Sequence, residues 1–268
     1  MTISPQIITL TTDFGLTDEF AGVMKGVILS YAPAATLIDI SHSIPPQDIR
    51  EGACTLFASY HYFPVGTVHL IVIDPGVGTS RKLLGLQADN HFFVGPDNGV
   101  FTQLLQKGLV QQAYTLDNRD LFLADISTTF HGRDIMAPVA AHICLGMELH
   151  HVGSSIDPAK CCQIELPAAK HDGNRILGTI IHIDHFGNLR TSITATDLAA
   201  MHNKTELSIQ CGKHSIDGLN SSYTAVPVDH LLAIFDSRKH LEIAVNNGNA
   251  AKILQCSVGD GVLITYHS

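Results

Sequence analysis

Four glycine-containing turns hold the polar residues of this sequence that are best placed for chemistry. In chain order they are Thr11–Gly15, Asp74–Arg81, Phe130–Asp134 and Asp184–Asn188. Each turn sets acidic, basic or amide side chains beside glycine, where a small ligand can approach the backbone closely. These side-chain types are the ones that bind polar groups and move protons on a bound small molecule.

Asp74 and Arg81 share the second turn and carry opposite charges. In one interpretation their ion pair keeps the carboxylate ionised and lets it orient a water molecule. In the other interpretation the pair only stabilises the loop, and the spacing does not separate the two. Gly76 and Gly78 do not form a dinucleotide-binding fingerprint, because Arg81 stands where the third glycine is required.

His131 and Asp13 are the candidates in two other turns. His131 comes just before a predicted helix, whose positive end disfavours an imidazolium and leaves the ring available as a base or acceptor. The chain has sixteen histidines, so a structural role is the common alternative for any one of them. Asp13 follows a predicted strand and could accept both hydroxyls of a ribose, or it could cap the turn.

Three other chemistries are weaker interpretations of the sequence. A protein kinase is excluded although Asp13-Phe14-Gly15 occurs, because the glycine-rich nucleotide loop and the HRD loop are missing. His182, Asp184, His185 and the pair His150-His151 offer metal ligands, but no HExxH motif or clustered carboxylates complete a coordination sphere. The GxSxG nucleophile elbow is also missing, which disfavours an acyl-enzyme.

The elements that must position these turns alternate between strand and helix in the first half of the chain. Strands are predicted at residues 7–10, 36–40, 67–73, 82–87 and 91–94, and helices at 17–31, 48–62, 98–107 and 132–145. Thr17 is the predicted N-cap of the first helix. This alternation predicts a mostly parallel or mixed sheet with helices on both faces and ligands at the carboxyl ends of the strands.

A change in composition near residue 165 predicts a second domain. Residues 166–173 are predicted to be a linker. Beyond them, short strands are predicted at 175–183, 189–193, 206–211, 230–235, 241–245 and 262–266, with little helical periodicity. We therefore expect an α/β domain at residues 1–165 and a smaller β-rich domain at residues 174–268.

Composition narrows the class of protein. The chain has 268 residues, 45% hydrophobic and 15% charged, which is typical of a globular protein and not of a disordered one. Its formal charge of -9 disfavours nucleic acid or an anionic membrane as partner. No apolar stretch approaches the roughly 20 residues of a membrane span, and no basic residue precedes Lys25. With six scattered cysteines, these features predict a cytoplasmic protein with reduced thiols.

Taken together and in this order, the four turns and the segment Asn246–Ala251 resemble the S-adenosyl-L-methionine (SAM) hydroxide adenosyltransferase family. These are the adenosine-forming SAM hydrolases, which are related to fluorinase and chlorinase. The resemblance covers essentially the whole chain. It implies an α/β N-terminal domain, a β-barrel-like C-terminal domain and a homotrimer that binds SAM between domains of neighbouring subunits. It also implies that SAM is the substrate, water the co-substrate, and that no cofactor or metal is needed.

The resemblance assigns roles to single residues. The family's Asp, Arg and His around the attacking water match three positions here: Asp74, Arg81 and His131. Its ribose-binding aspartate matches Asp13. In the second domain, the resemblance implies that Asp184 and Asn188 contact the methionine part of SAM and that Phe186 lies beside the adenosyl group. It also implies that Ser237 and Arg238 belong to the segment that binds the methionine carboxylate.

Two departures separate this sequence from the halogenases. Those enzymes carry Tyr at the start of the second turn and Thr three residues later, where this chain has Asp74 and Val77, and the extra fluorinase loop is missing after Asp89. A carboxylate repels a halide but accepts a proton from water. The resemblance therefore implies hydrolysis of SAM by in-line attack of an activated water on the ribose 5′ carbon. A non-catalytic sensor of adenosyl ligands and cleavage of SAM by a different nucleophile stay open as alternatives.

Overall fold

The computed structural model describes residues 6–199 and 206–267, and the chain divides into two compact units. Unit 1 comprises residues 1–164 and unit 2 comprises residues 165–268. Unit 1 combines a six-stranded mixed sheet with helices, and unit 2 is a barrel-like antiparallel sheet of eight strands. The predicted fold class is therefore confirmed.

Unit 1 is built on the sheet order β2-β1-β3-β5-β4-β6. Its strands are β1 (Ile7–Thr12), β2 (Thr36–Ser41), β3 (Val68–Val72), β4 (Leu83–Ala88), β5 (His91–Pro96) and β6 (Val110–Thr115). Its helices are α1 (Phe20–Tyr31), α2 (Ile49–Ser59), α3 (Thr102–Gln106) and α4 (Ala137–Cys144). The strands β2, β1, β3 and β5 are parallel, whereas β4 is antiparallel to both of its neighbours.

The central strand β3 explains why helices cover both faces of this sheet. Every residue of β3 is buried, and alternate side chains point to opposite faces. Leu70 and Val72 belong to the core that contains α1 and α4, whereas Ile71 belongs to the core that contains α2 and α3. A nearly continuous apolar run, interrupted only by His69, is therefore expected here, as in parallel sheets generally.

Two helices of unit 1 are shorter than their sequence patterns predict. Helix α1 begins after Glu19 rather than after Thr17, and Glu19 caps it without a side-chain hydrogen bond. Helix α3 begins only at Thr102, because Asn98 and Gly99 form the preceding turn: the Asn98 amide donates to the Ile73 carbonyl, and Gly99 has a φ of 106°. Strand β6 follows α3 and was not predicted.

Unit 2 is built on the strand order β11-β10-β14-β8-β9-β13-β12, with β7 paired to β8. Its strands are β7 (Lys170–Asp172), β8 (Arg175–Ile183), β9 (Leu189–Thr194), β10 (Glu206–Cys211), β11 (His214–Asp217), β12 (Leu231–Phe235), β13 (His240–Val245) and β14 (Gly261–His267). The end strands β11 and β12 contact each other, which gives the sheet its barrel-like form. Two short helices, α5 (Ala195–Ala199) and α6 (Ala250–Leu254), complete the unit.

Two further observations concern the expectations drawn from the sequence. Strand β7 lies inside the segment 166–173 that we predicted to be a linker. In the part of the chain that the structure describes, no helix is long and apolar enough to cross a membrane.

Candidate active site

The Asp74–Arg81 turn follows β3, and the Thr11–Gly15 turn begins at the end of β1. These two adjacent parallel strands lie where the strand order reverses, because β2 is on the far side of β1 and β5 is on the far side of β3. At such a point the connections leave the sheet in opposite directions and open a crevice at the carboxyl ends of the strands. The topology therefore brings Asp13 and Asp74 to the same crevice.

Glycine is required inside the Asp74–Arg81 turn. Gly78 has a φ of 79°, and a Cβ atom at this position would lie 2.4 Å from the Thr128 carbonyl oxygen. Only glycine allows this backbone conformation and this close approach together. The turn is further held by the Thr79 hydroxyl, which donates to the Gly76 carbonyl at 2.7 Å.

Asp74 and Arg81 form the ion pair that the turn predicts. Arg81 Nε donates to Asp74 Oδ1 at 2.6 Å, and Arg81 Nη2 donates to Asp74 Oδ2, so the contact is bidentate. The side chains are 4% exposed for Asp74 and 9% for Arg81. Arg81 Nη2 also lies 3.0 Å from His131 Nδ1. Arg81 therefore contacts both of the other side chains that the sequence singled out, and joins two separate turns.

The contact with Arg81 determines the tautomer of His131. A guanidinium has donors only, so His131 Nδ1 must accept, and the ring proton is on Nε2. Burial lowers the pKa of His131, and the Arg81 charge lowers this pKa further, whereas the Asp74 and Asp134 charges oppose the shift. His131 is therefore a neutral ring with an Nε2–H donor. Asp74 is the member of the trio with lone pairs available to accept a proton.

A π-helical segment, Gly132–Met136, places His131 in this position. It leads directly into α4, so the helix predicted at 132–145 has a wider first turn than an ordinary α-helix. A Cβ atom at Gly132 would lie 3.1 Å from Val72 Cγ1, which shows how closely the segment approaches the end of β3. Asp134 is fully buried and accepts the Ser127 backbone N–H at 2.8 Å, which fixes the segment from its other side.

A cavity of about 290 Å³ opens beside these groups. Asp13, Asp74 and His131 all line it, together with Gln47 and Val77. Asp13 Oδ2 accepts the Gln47 backbone N–H at 2.8 Å. A larger cavity of about 570 Å³ lies beside residues 143–150, but it shares no residue with the four turns. The chemistry of the side chains therefore selects the smaller cavity.

In unit 2 the turn Asp184–Asn188 is held by its own first residue. Asp184 Oδ1 accepts the backbone N–H groups of Phe186 and Asn188 at 2.9 and 2.8 Å, and Asn188 Nδ2 donates to Asp184 Oδ2 at 3.1 Å. Gly187 has a φ of 88° and packs directly against Asn249. The Phe186 ring is 71% exposed. The turn thus presents a carboxylate, an amide and an aromatic ring side by side.

Ser237 and Arg238 lie on the turn between β12 and β13, which Asp236 organises. Asp236 Oδ1 accepts the Arg238 backbone N–H at 2.9 Å, and Asp236 Oδ2 accepts a hydrogen bond from Arg190 Nε. Both Ser237 and Arg238 are exposed.

A buried carboxyl that no motif of the sequence marks lies close to both unit 2 turns. Glu242 of β13 accepts the Tyr223 hydroxyl at 2.7 Å. Burial raises the pKa of Glu242, and the charges of Asp184 and Asp236 raise it further. Its only sequence signal is a single acidic residue inside the apolar strand β13. Asp184 and Asp236 therefore belong to one group of interacting charges in unit 2.

The described residues hold no cluster of side chains that would support a metal site. Among the residues in 6–199 and 206–267, no group of three or more His, Cys, Asp or Glu side chains could hold a metal ion. His182, Asp184 and His185 thus remain an isolated sequence pattern. The expectation that no metal or cofactor is needed stays a prediction.

Comparisons with known proteins match both units of the chain to one family. Residues 8–153 match the SAM hydroxide adenosyltransferase N-terminal domain, and residues 178–263 match the corresponding C-terminal domain. The chain is 36% identical to the (R)-S-adenosyl-L-methionine hydrolase of Salinispora tropica, over 96% of this chain and 97% of the relative. It is 33% identical to the protein of that name from Methanocaldococcus jannaschii, over 97% and 96% of the two chains.

More distant and structural relatives extend this similarity. A fluorinase of Actinoplanes sp. is 29% identical over 76% of this chain and 77% of its own. The crystal structure of an uncharacterized conserved protein from Thermotoga maritima superposes with a TM-score of 0.89 at 35% identity, over 97% of this chain and 100% of that one.

Proposed function

The chain belongs to the SAM hydroxide adenosyltransferase family, and from this premise we propose that it hydrolyses SAM to adenosine and L-methionine. The observation that carries the proposal is the contact of Asp74, Arg81 and His131 at the edge of a cavity that Asp13 also lines. A carboxylate at this position accepts a proton from water and repels halides, which favours hydrolysis over halogenation.

The leaving group decides what the protein must supply. In the reaction, the water oxygen forms a bond to the ribose 5′ carbon while the bond from this carbon to sulfur breaks and its electron pair goes to sulfur. Methionine leaves as a neutral thioether, so the leaving group needs no proton. Catalysis therefore consists of holding water in line with the breaking bond and taking up the proton that water loses. A desolvated cavity favours the step, because the nucleophile's developing negative charge neutralises the sulfonium.

We assign different roles to the three side chains in contact. Asp74 accepts the proton from water, since it has free lone pairs. His131 donates its Nε2–H to orient the water, because its Nδ1 is engaged by Arg81. Arg81 holds Asp74 in position through its bidentate contact and holds His131 through the contact with Nδ1. Groups of this type contribute about 10²- to 10⁴-fold to the rate.

The substrate contacts follow the family resemblance and the geometry of each turn. Asp13 binds the ribose hydroxyls. Asp184 and Asn188 bind the methionine part, whose ammonium group suits a carboxylate. Phe186 lies beside the adenosyl group, and Ser237 with Arg238 binds the methionine carboxylate. The exposed Phe186 ring, and the carboxylate and amide that the turn holds beside it, support these assignments.

We also propose a homotrimer that binds SAM between domains of neighbouring subunits, with no cofactor and no nucleic-acid or membrane partner. A cytoplasmic location fits the cysteines, because the six, all in the described part of the chain, form no disulfide.

The proposal is tested by incubating the chelator-treated protein with SAM and measuring adenosine and methionine by chromatography. We expect both products from the native protein and a kcat lower by about 10²- to 10⁴-fold in Asp74→Asn, which keeps the side-chain shape but loses the base. Asp120→Asn, at an exposed position outside the cavity, is the control and should keep full activity.

Four outcomes would contradict parts of the proposal. SAM binding without any product would favour a sensor, and full activity in Asp74→Asn would remove the assigned base. Activity that disappears with the chelator and returns with a metal ion would refute metal-free hydrolysis. Products that change when chloride or fluoride is added would identify a different nucleophile.

A further inference from the structure

The segment that follows β2 contacts the Asp13 turn at three points. His42 Nδ1 lies 2.8 Å from Thr12 Oγ1, and the His42 carbonyl accepts the Gly15 backbone N–H at 2.7 Å. The Gln47 backbone N–H donates to Asp13 Oδ2 at 2.8 Å. Phe14 packs edge-on against Phe20 and Phe130, whereas a Cβ atom at Gly15 would have no neighbour within 4 Å. Packing therefore holds Phe14, and these hydrogen bonds hold the backbone and the carboxylate beside it.

His42 is the buried member of this contact. It is 4% exposed, and its Nε2 lies 3.0 Å from Asp39 Oδ1, whose other oxygen accepts a hydrogen bond from Lys25 at 2.6 Å. The ring N–H is not aligned on the Asp39 carboxylate. The negative charge nevertheless favours a proton on Nε2, because a carboxylate only accepts. His42 Nδ1 then accepts the hydrogen of the Thr12 hydroxyl.

This arrangement fixes the backbone around Asp13. With its hydrogen directed to His42, the Thr12 oxygen is free to accept the Phe14 backbone N–H at 3.3 Å. Thr12 and Phe14 are the two neighbours of Asp13 in the chain. His42 itself does not line the cavity, whereas Asp13 does.

We propose that His42 is a positioning residue for substrate binding, which acts through Thr12 to hold the Asp13 carboxylate against the ribose hydroxyls. This inference rests on the proposed function, because the ribose is the group that Asp13 would bind. The ribose hydroxyls take no part in bond breaking, so their contacts are equally strong in the ground state and the transition state. Loss of His42 should therefore raise KM and leave kcat nearly unchanged.

Two substitutions of His42 separate its two contacts. His42→Asn keeps an acceptor near the position of Nδ1, within reach of Thr12. His42→Gln places its amide near the position of Nε2, beside Asp39, and leaves Thr12 without an acceptor. We expect His42→Gln to raise KM for SAM about tenfold, with kcat within about twofold of the native value, and His42→Asn to restore most of the affinity.

Calorimetric binding of adenosine, 2′-deoxyadenosine and 3′-deoxyadenosine tests the inference without turnover. The native protein should prefer adenosine over both deoxy compounds, and His42→Gln should reduce this preference severalfold. In an Asp13→Ala background, His42→Gln should have no further effect on adenosine binding. If His42→Gln does not fold, Thr12→Val removes the same contact and should give the same result.

His69→Gln is the matched control. His69 Nδ1 contacts the hydroxyl of Thr9 at 2.8 Å, and Thr9 lies on β1 as Thr12 does. His69 is 1% exposed and does not line the cavity. This variant should lower thermal stability and leave the preference for adenosine unchanged.

The outcomes distinguish this inference from the proposed function. Adenosine binding that depends on His42 in a protein that does not hydrolyse SAM would refute the hydrolase and support the positioning role. An unchanged preference in His42→Gln, an equal change in His69→Gln, or no adenosine binding by the native protein would overturn the role of His42.

Discussion

At the scale of single residues, burial and one guanidinium together keep the His131 ring of the candidate site neutral. Burial and the Arg81 charge lower the pKa of His131 below the value of about 6.5 that an unperturbed histidine has. When pH falls through this lowered pKa, Nδ1 takes up a proton and can no longer accept from Arg81. We therefore expect kcat/KM for SAM to be constant at neutral pH and to fall only below pH 6.5, when rates are measured between about pH 5 and 8.

Removing the guanidinium should move the acidic limb of the pH profile, where kcat/KM falls, to higher pH. In Arg81→Gln, His131 loses a neighbouring cation and stays beside the Asp74 carboxylate, so the pKa of His131 rises. The variant should also be slower by about 10-fold or more, because the bidentate contact is lost. Lys82→Gln removes an exposed cation next along the chain and should leave the limb in place. An unmoved limb in Arg81→Gln would show that His131 is not the group that titrates.

The same scale shows what the sequence can and cannot reveal about the site. Asp74, Arg81 and His131 could be selected because each stands in a glycine-containing turn at a predicted strand end or helix start. The His131 tautomer could not, because it depends on a contact across 50 positions of the chain. His42 and Gln47 stand out by neither type nor spacing, and only the sheet order brings them to Asp13.

At the scale of elements, the turn after β3 should tolerate no side chain at Gly78. In Gly78→Ala, the positive φ alone costs about 1–2 kcal/mol, and the contact with the Thr128 carbonyl must also be relieved. Because the turn carries both Asp74 and Arg81, its displacement should lower kcat as well as stability. Urea unfolding and SAM hydrolysis measure the two effects.

Gly108→Ala is the control for this substitution. Gly108 has a φ of 65° but no heavy atom within 4 Å of an added Cβ, so the alanine there suffers only the backbone strain. It should lose only the roughly 1–2 kcal/mol of this strain, less than Gly78→Ala loses, and keep its kcat. If Gly78→Ala behaved like Gly108→Ala in both measurements, the close approach to Thr128 would not matter for catalysis.

The elements also differ in how well the sequence predicts them. Strand β3 is predicted well because its residues are apolar apart from His69. The π-helical segment after His131 is not, because one wider turn hardly changes the spacing of apolar residues. Helices α5 and α6 are missed because five residues are too few to show a helical period.

At the scale of the whole molecule, the proposed trimer predicts that inactive subunits can complement each other. The proposal places SAM between subunits, with Asp74 from one and Asp184 from its neighbour. Asp74→Asn and Asp184→Ala should each be nearly inactive alone. When the two are co-refolded in equal amounts, random assembly restores both residues at about one quarter of the sites, and SAM hydrolysis should recover to about that fraction. Mixing without refolding is the control, since intact trimers do not exchange subunits at once. A co-refolded mixture as inactive as its components would show that each subunit completes its own site.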